Sequence, residues 1–330
     1  MAKRQRLCPE ITDPDLRGFL DMLPDLRAFN TALVKGQKRT AGTEEFALPG
    51  RKISICFHRA KAKDGTVLTG KRPVLFEFHG GGFMLGDAEK TDALCERIAV
   101  DLGIHVVGVN YRLAPENPFP AAVKDAYGVI RRMYQRADQY DIDPENMAVM
   151  GYSAGATLAI AAGMQTLLNG EFSLKAMVLH YPYVDAVHMP DEKEHYDCDM
   201  TNEAMKAFTL LYSTDEERKN PYVSPILASR EELAGMPPAL ILPAERDQLR
   251  AEGILFAEHL KDAGTETELH IMPKMHHGYL EDAANMEVYE TTAPDVKATH
   301  DPSFREQAEE AVRLTEDFLT EHFGNAKHSE

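Results

Sequence analysis

The sequence predicts an α/β fold in which a mostly parallel sheet is covered by helices on both faces. Two observations indicate this class. Short apolar runs typical of strands alternate along the chain with longer stretches whose apolar residues have helical spacing. One run, residues 104–110, is nearly all apolar, as expected for a strand buried on both faces. Strands that alternate with helices in this way form parallel sheets between helical layers.

The first half of the chain begins with a helical pattern and continues with strands and helices in turn. Residues 15–35 carry apolar side chains at helical spacing, but Pro24 interrupts them, so two short amphipathic helices are expected there. Asp64-Gly65 is a hairpin turn signal. We predict strands at residues 52–58, 74–78 and 104–110, and helices at residues 88–102 and 120–136.

The second half keeps this alternation except in one place. Residues 184–222 are polar at first and then helical over residues 202–212, which indicates an insertion. The insertion and the N-terminal helices are natural candidates for a lid. The other predicted elements are strands at 147–150, 176–181, 239–242 and 267–272, and helices at 156–168, 248–262 and 303–322.

The composition argues against several classes of function. The chain of 330 residues has 36 basic and 53 acidic residues and a net charge of −17, which argues against nucleic-acid or membrane-surface binding. There is no apolar run of about 18 residues and no signal-peptide core near the N-terminus, so a cytoplasmic location without a membrane span is expected. The four cysteines lack metal-binding spacing, and H-E-x-x-H and G-x-G-x-x-G are absent, so no metal and no cofactor is expected.

Two glycine-rich motifs carry the functional signal. Residues 79–82 read His-Gly-Gly-Gly and directly follow the predicted strand 74–78. Residues 151–155 read Gly-Tyr-Ser-Ala-Gly between a predicted strand and a predicted helix, the setting of a turn that exposes a nucleophilic serine, here Ser153. The bare amides of the first motif could hold the oxyanion that forms when such a serine attacks an ester.

Two residues late in the chain could complete the chemistry. A serine nucleophile needs a histidine that takes its proton and a carboxylate that orients the histidine, in the chain order Ser, Asp or Glu, His. Asp247 and His277 each follow a late predicted strand, where parallel sheets place ligand sites. Glu245 is a rival acid and His276 is a rival base. We favour Asp247, and we favour His277 because Gly278 follows it.

Five motifs occur in order along the chain. They are H-G-G-G-F at 79–83, Y-R-L-A-P-E at 111–116, the serine motif at 151–155, D-Q-L-R at 247–250 and H-G-Y at 277–279. This series resembles the hormone-sensitive-lipase-like branch of the α/β-hydrolases, from about residue 72 to residue 280. The resemblance implies an α/β-hydrolase fold with an eight-stranded sheet and a helical cap, and carboxylesterase activity. It also implies that Asp247 is the acid and His277 the base.

The same comparison suggests how the glycine loop, residues 79–82, would work. Backbone amides of Gly81, Gly82 and Ala154 are expected to form the oxyanion hole, since glycine lets a substrate carbonyl approach the amides. His79 is expected to orient the loop rather than to transfer protons. The implied domains are N-terminal cap helices at 1–45, a catalytic domain at 46–183 and 223–330, and a cap insertion at 184–222.

Some positions depart from the family pattern or extend it. Tyr152 precedes the serine where bacterial members usually have Asp or Thr, and Ala156 stands where glycine is frequent. The segment 281–302 is longer than the usual link to the last helix, and we expect it to pack beside the site entrance or to form an oligomer contact. By resemblance, Arg112 and Glu116 should brace the glycine loop.

Several functions are compatible with these residues. The first is a carboxylesterase for small neutral esters with short acyl chains, which includes deacetylation or feruloyl release from plant-derived carbohydrates. An amidase or peptidase on the same triad and a non-catalytic ligand-binding protein are the alternatives. An edge strand at 267–272 could pair two copies as a homodimer. Several apolar side chains of the insertion either pack in the protein core or line an adaptable acyl pocket. They are Met189, Met200, Met205, Phe208, Leu211 and Tyr212.

Overall fold

An eight-stranded, mostly parallel sheet forms the middle layer, which confirms the predicted fold class. The computed structural model describes residues 13–36, 39–194, 196, 200–286 and 302–324. The sheet order is β1-β2-β4-β3-β5-β6-β7-β9, with β1/β2 and β2/β4 antiparallel and the other pairs parallel. The strands are β1 (Thr43–Leu48), β2 (Arg51–His58), β3 (Arg72–Phe78), β4 (His105–Asn110), β5 (Ile142–Tyr152), β6 (Ala176–His180), β7 (Ala239–Leu242), β8 (Ala244–Arg246), β9 (Thr267–Leu269) and β10 (Met272–His276).

Helices cover both faces of this sheet. The helices are α1 (Pro14–Gly36), α2 (Asp92–Leu102), α3 (Ala121–Tyr134), α4 (Ala154–Asn169), α5 (Asn202–Tyr212), α6 (Arg230–Leu233), α7 (Arg250–Asp262), α8 (Tyr279–Ala284) and α9 (Phe304–His322). The apolar faces of α3, α4 and α7 pack on one side of the sheet, and those of α2 and α9 pack on the other. Successive side chains of β3 point to opposite faces of the sheet and so contact both helical layers. Val74 and Phe76 face the layer of α3, α4 and α7, and Leu75 faces the layer of α2 and α9.

The N-terminal helix differs from the prediction. Residues 14–36 form one helix with Pro24 inside it, not two short helices. The helix buries Phe19, Leu23 and Leu33 along one side, and this burial outweighs the roughly 3 kcal/mol that an interior proline costs. Phe19 packs edge-to-face against Phe208 of α5, with ring centroids 5.4 Å apart. The N-terminal helix therefore lies against the helix of the insertion.

Two other elements were wrongly predicted. Strand β1 was missed because its first three residues are exposed and only Phe46 and Leu48 are buried, which is too short an alternation to read as a strand. The predicted helix 88–102 is a 3₁₀ turn, Ala88–Thr91, followed by α2. The hairpin signal is confirmed, since Gly65 donates to the Ala62 carbonyl in a small turn at a φ of 85°.

A second, two-stranded sheet lies at the end of β7. The predicted strand 267–272 is wrong as a single element, because the chain forms β9 in the main sheet and then leaves it as β10. Pro243 ends β7 and accepts a hydrogen bond from the amide of Met272, and β8 then pairs in parallel with β10. The loops after β8 and β10 carry Asp247 and His277, so this small sheet holds the two loops side by side.

Candidate active site

Ser153 lies on a sharp turn between β5 and α4. Its backbone has φ 52° and ψ −118°, a strained conformation for a residue with a side chain. The turn needs glycine on both sides. A Cβ at position 151 would lie 2.2 Å from the Gly155 carbonyl oxygen, and a Cβ at position 155 would lie 2.0 Å from the Phe78 carbonyl oxygen. The two glycines of the motif are therefore required because no side chain fits at either position. The tight turn that they allow leaves the Ser153 side chain exposed.

The structure brings His277 and Asp247 to this serine. Nε2 of His277 is 2.9 Å from Oγ of Ser153, and Nδ1 of His277 is 2.8 Å from Oδ2 of Asp247. The other carboxylate oxygen of Asp247 accepts the amide of Leu249 at 2.9 Å, which fixes the orientation of the carboxylate. Because a carboxylate can only accept, Nδ1 of His277 carries the proton and Nε2 is free to accept the serine hydroxyl.

The rival residues are held elsewhere. Oε2 of Glu245 accepts the amide of Lys274 at 2.5 Å, on the outer side of the small sheet. The Nδ1–H of His276 donates to the backbone carbonyl of His277 at 2.8 Å, and its ring stacks on Phe304 with centroids 5.8 Å apart. The geometry thus separates the two favoured residues from their sequence neighbours.

The electrostatic surroundings of His277 favour its protonated form. Burial of the ring lowers its pKa, but the charge and hydrogen bond of Asp247 outweigh that effect, and Glu281 and Glu252 add to it. The pKa of His277 is therefore raised above its ordinary value of 6.5. A histidine that accepts a proton readily can act as a general base when neutral and hold the proton as an imidazolium afterwards.

The glycine loop lies beside the serine with free amides. Gly81 and Gly82 have φ of 108° and 59°, and a Cβ at position 81 would lie 2.3 Å from the Leu85 carbonyl oxygen. Within the described ranges, the backbone hydrogen bonds of the loop do not use the amides of Gly81 or Gly82 as donors. Ala154 is the first residue of α4, so its amide has no partner within the helix. These three amides are available to bind a developing negative charge.

His79 lies behind the loop and does not reach the serine. Its Nδ1–H donates to the Gly80 carbonyl at 2.7 Å, and its ring stacks on Tyr111 with centroids 4.2 Å apart. The Tyr111 hydroxyl donates to the His79 carbonyl at 2.8 Å. Burial lowers the pKa of His79 to about 4, so the ring stays neutral at physiological pH. These contacts hold the loop in shape.

The predicted braces of the loop make different contacts. Arg112 forms an ion pair with the buried carboxylate of Asp125, with distances of 2.8 and 2.9 Å. Glu116 pairs with Arg27 of α1 at 2.9 Å. Arg27 also donates to the backbone carbonyls of Met84 and Ala114, at 2.9 and 2.7 Å, and so ties the N-terminal helix to the chain after the glycine loop. Nothing in the local motifs pointed to Arg27.

Tyr152, the unusual residue of the serine motif, points away from the site. Its side chain is fully buried and stacks on His180 with ring centroids 5.1 Å apart. Its hydroxyl is 3.8 Å from Sδ of Met150, on the far side of the sheet from Ser153. Ala156 is fully buried in the first turn of α4. Neither position contacts the triad atoms in the described structure.

A narrow, mostly apolar cavity of about 20 Å³ opens at Ser153. Three of the predicted insertion residues line it, whereas Leu211 and Tyr212 are buried in the packing and Met189 is not in the lining. The sequence did not indicate a pocket role for Tyr183, which stands in none of the five motifs, or for Leu249, which stands in D-Q-L-R. The lining residues are Gly82, Phe83, Ser153, Ala154, Tyr183, Met200, Met205, Phe208 and Leu249.

The described residues show neither a metal centre nor a membrane-spanning helix. They contain no group of three or more His, Cys, Asp or Glu side chains that could hold a metal ion. In the same ranges, no helix combines the length and the apolar character that crossing a bilayer requires. Most of the segment 281–302 lies outside the described residues, so its predicted role at the entrance or in an oligomer stays a prediction.

Comparison with known proteins places these features in a family. A family model described as the alpha/beta hydrolase fold matches residues 75–281. Esterase LipI of Mycobacterium tuberculosis is 36% identical over 63% of this chain, although the match spans only 66% of that protein. Carboxylesterase NlhH of the same organism is 30% identical over 82% of this chain and 91% of its own length. A thermostable esterase structure from Pseudomonas putida superposes with a TM-score of 0.75 at 27% identity, over 94% of this chain and 98% of that one.

Proposed function

Because the chain belongs to the α/β-hydrolase family, we propose that it is a serine carboxylesterase that hydrolyses small, neutral esters. The observation that carries the proposal is the placement of His277 within hydrogen-bonding distance of both Ser153 and Asp247. Its relatives LipI and NlhH are named as an esterase and a carboxylesterase, which favours an ester over the amide bond of an amidase or peptidase. We further assign α1 and the insertion 184–222 to a cap over the cavity.

The reaction begins with attack of Ser153. Oγ bonds to the ester carbonyl carbon while its proton passes to Nε2 of His277. Asp247 keeps the ring in the tautomer that can accept this proton and stabilises the imidazolium that results. The carbonyl oxygen becomes an oxyanion that accepts hydrogen bonds from the amides of Gly81, Gly82 and Ala154. Each such donor contributes about 3 kcal/mol to stabilisation of the transition state.

The second half of the reaction releases both products. The tetrahedral intermediate collapses, the ester C–O bond breaks, and His277 gives its proton to the leaving alcohol. Water then attacks the acyl-enzyme, gives a proton to His277 and forms a second tetrahedral intermediate. Collapse of that intermediate returns the proton to Ser153 and frees the carboxylic acid. No cofactor enters this sequence of steps.

The pH dependence follows from His277. We expect kcat/KM for an uncharged ester to fall as the pH drops through the pKa of His277, because only the neutral ring can take the serine proton. Since that pKa is raised, the midpoint of the fall should lie above 6.5. The measurement is kcat/KM for a short-chain nitrophenyl ester between about pH 5 and pH 9. A midpoint below 6.5 would contradict this assignment.

The size of the acyl chain should be limited by Phe208. Its ring fills the space beside Gly82, so closely that a Cβ on Gly82 would lie 2.2 Å from the ring. We expect acetyl and butyryl nitrophenyl esters to be preferred over octanoyl, and Phe208→Ala to raise kcat/KM for octanoyl about 10-fold relative to acetyl. Phe29→Ala, which removes an exposed phenylalanine of α1, is the control and should leave the ratio unchanged. An unchanged ratio in Phe208→Ala would show that the acyl chain lies elsewhere.

A further inference from the structure

A second carboxylate lies close to the proposed base and takes no part in the triad. Glu281 stands on α8, four residues after His277, and is 6% exposed. One of its oxygens, Oε2, accepts the Tyr181 hydroxyl at 3.3 Å. The other, Oε1, lies 2.6 Å from the place that a Cβ on Gly80 would take. The carboxylate therefore sits between the loop that carries His277 and the glycine loop, and a side chain at position 80 would displace it.

Tyr181 connects this carboxylate to His277. Its ring packs edge-to-face against the His277 ring, with centroids 5.1 Å apart at 67°. Its backbone has a φ of 35°, in the left-handed region that a tyrosine rarely adopts. Such strain persists only where the surroundings impose it, and it clusters at functional sites. The Tyr181 side chain is thus held in contact with the histidine on one side and with Glu281 on the other.

We propose that Glu281 is a positioning residue for His277, which it serves by anchoring Tyr181 against the imidazole and by placing a negative charge near the ring. The inference rests on the proposed function of Ser153 and His277. In this arrangement the carboxylate favours the imidazolium that forms during attack. Its position against Gly80 also fixes the glycine loop relative to His277. The charge acts without touching substrate.

Several other titratable groups lie near His277 and Glu281. Asp247 and Glu252 also act on the charge of His277. Around Glu281 lie Glu77 of β3 and the buried tyrosines 111, 152 and 181, and Tyr279 packs against Tyr181. Burial raises the pKa of Glu77 to about 8, so this carboxyl is uncharged across the acid limb of the rate profile. The tyrosines are neutral there as well, because burial raises each of their pKa values.

The test is the pH profile of Glu281→Gln, which keeps the shape of the side chain and removes its charge. We expect the acid limb of kcat/KM to move to lower pH by about 0.5 to 1 unit, because loss of the anion lowers the pKa of His277. At the plateau, kcat should fall about 3- to 10-fold while KM changes little. Asp282→Asn removes the same charge one residue further on, where the side chain faces His276, and should leave the limb in place.

Tyr181→Phe tests the connection independently of charge. We expect a loss in kcat of similar size, and a double variant no slower than the slower single variant, since the two residues act as one unit. Any of three results would overturn the proposal. The acid limb could stay in place in a folded Glu281→Gln protein, it could shift equally in Asp282→Asn, or the losses in kcat could multiply in the double variant. The esterase assignment itself would survive those results, because it fails only if Ser153 is dispensable.

Discussion

Ser153→Ala loses ester hydrolysis almost completely, with kcat lowered about 10⁵-fold. The residue supplies the only oxygen of the described site that lies 2.9 Å from Nε2 of His277, so an acyl-enzyme cannot form without it. The residual rate reflects what the oxyanion hole and substrate binding contribute alone. The measurement is single-turnover and steady-state hydrolysis of an acetyl nitrophenyl ester. Purified wild type and variant are compared after both have been shown to be folded to the same extent.

Two controls sharpen this experiment. Ser213→Ala removes another buried serine hydroxyl, whose donor bond goes to the Thr209 carbonyl at 3.3 Å, and should keep full activity. A phosphonate ester that traps serine nucleophiles should transfer its phosphonyl group, with loss of its leaving alcohol, to the peptide that contains Ser153 in wild type and to no peptide in the alanine variant. Activity that survives in Ser153→Ala, or label on a different peptide, would refute the proposed nucleophile.

His277→Ala is expected to lower kcat about 10⁴- to 10⁶-fold, whereas His276→Ala should stay within about 3-fold of wild type. The two side chains are adjacent in sequence, yet only His277 bridges Ser153 and Asp247. His276 instead donates to a backbone carbonyl and stacks on Phe304. The pair is its own matched control, because both substitutions remove an imidazole at adjacent positions, one at the end of β10 and one directly after it.

The kinetic form of the loss distinguishes chemistry from folding. Both variants should melt within a few degrees of wild type, and KM should remain close to the wild-type value, since neither ring is needed to bind an uncharged ester. A fully active His277→Ala protein, or a dead His276→Ala protein that is folded, would reverse the assignment of the base.

The sequence was informative wherever a function depends on a short local pattern. The order of five short motifs, from H-G-G-G-F at 79–83 to H-G-Y at 277–279, was enough to predict the α/β-hydrolase family, because such motifs encode turns at the sheet edge. Most strands and helices were placed within a few residues for the same reason: their apolar periodicity is local. The preference for His277 over His276 rested on a single following glycine, and the geometry places His277 at the serine.

Contacts between distant parts of the chain were not predictable. Arg27 and Glu116 are 89 positions apart, and Tyr181 and Glu281 are 100 positions apart, so no local pattern links them. The single helix through Pro24 depends on apolar partners such as Phe208 that only the folded chain brings near. The split of residues 267–272 between β9 and β10 depends on the course of a neighbouring strand after Pro243. Tertiary packing decided each of these points.

The small sheet of β8 and β10 has a consequence for how this chain can vary. Asp247 and His277 are 30 positions apart, but the ladder between the two short strands makes them neighbours. The distance in space between Asp247 and His277 is thus set by a few backbone hydrogen bonds. It does not depend on the length or composition of the chain that joins them. Changes on the outer surface of α7, which lies within that stretch, can accumulate without altering the distance between Asp247 and His277.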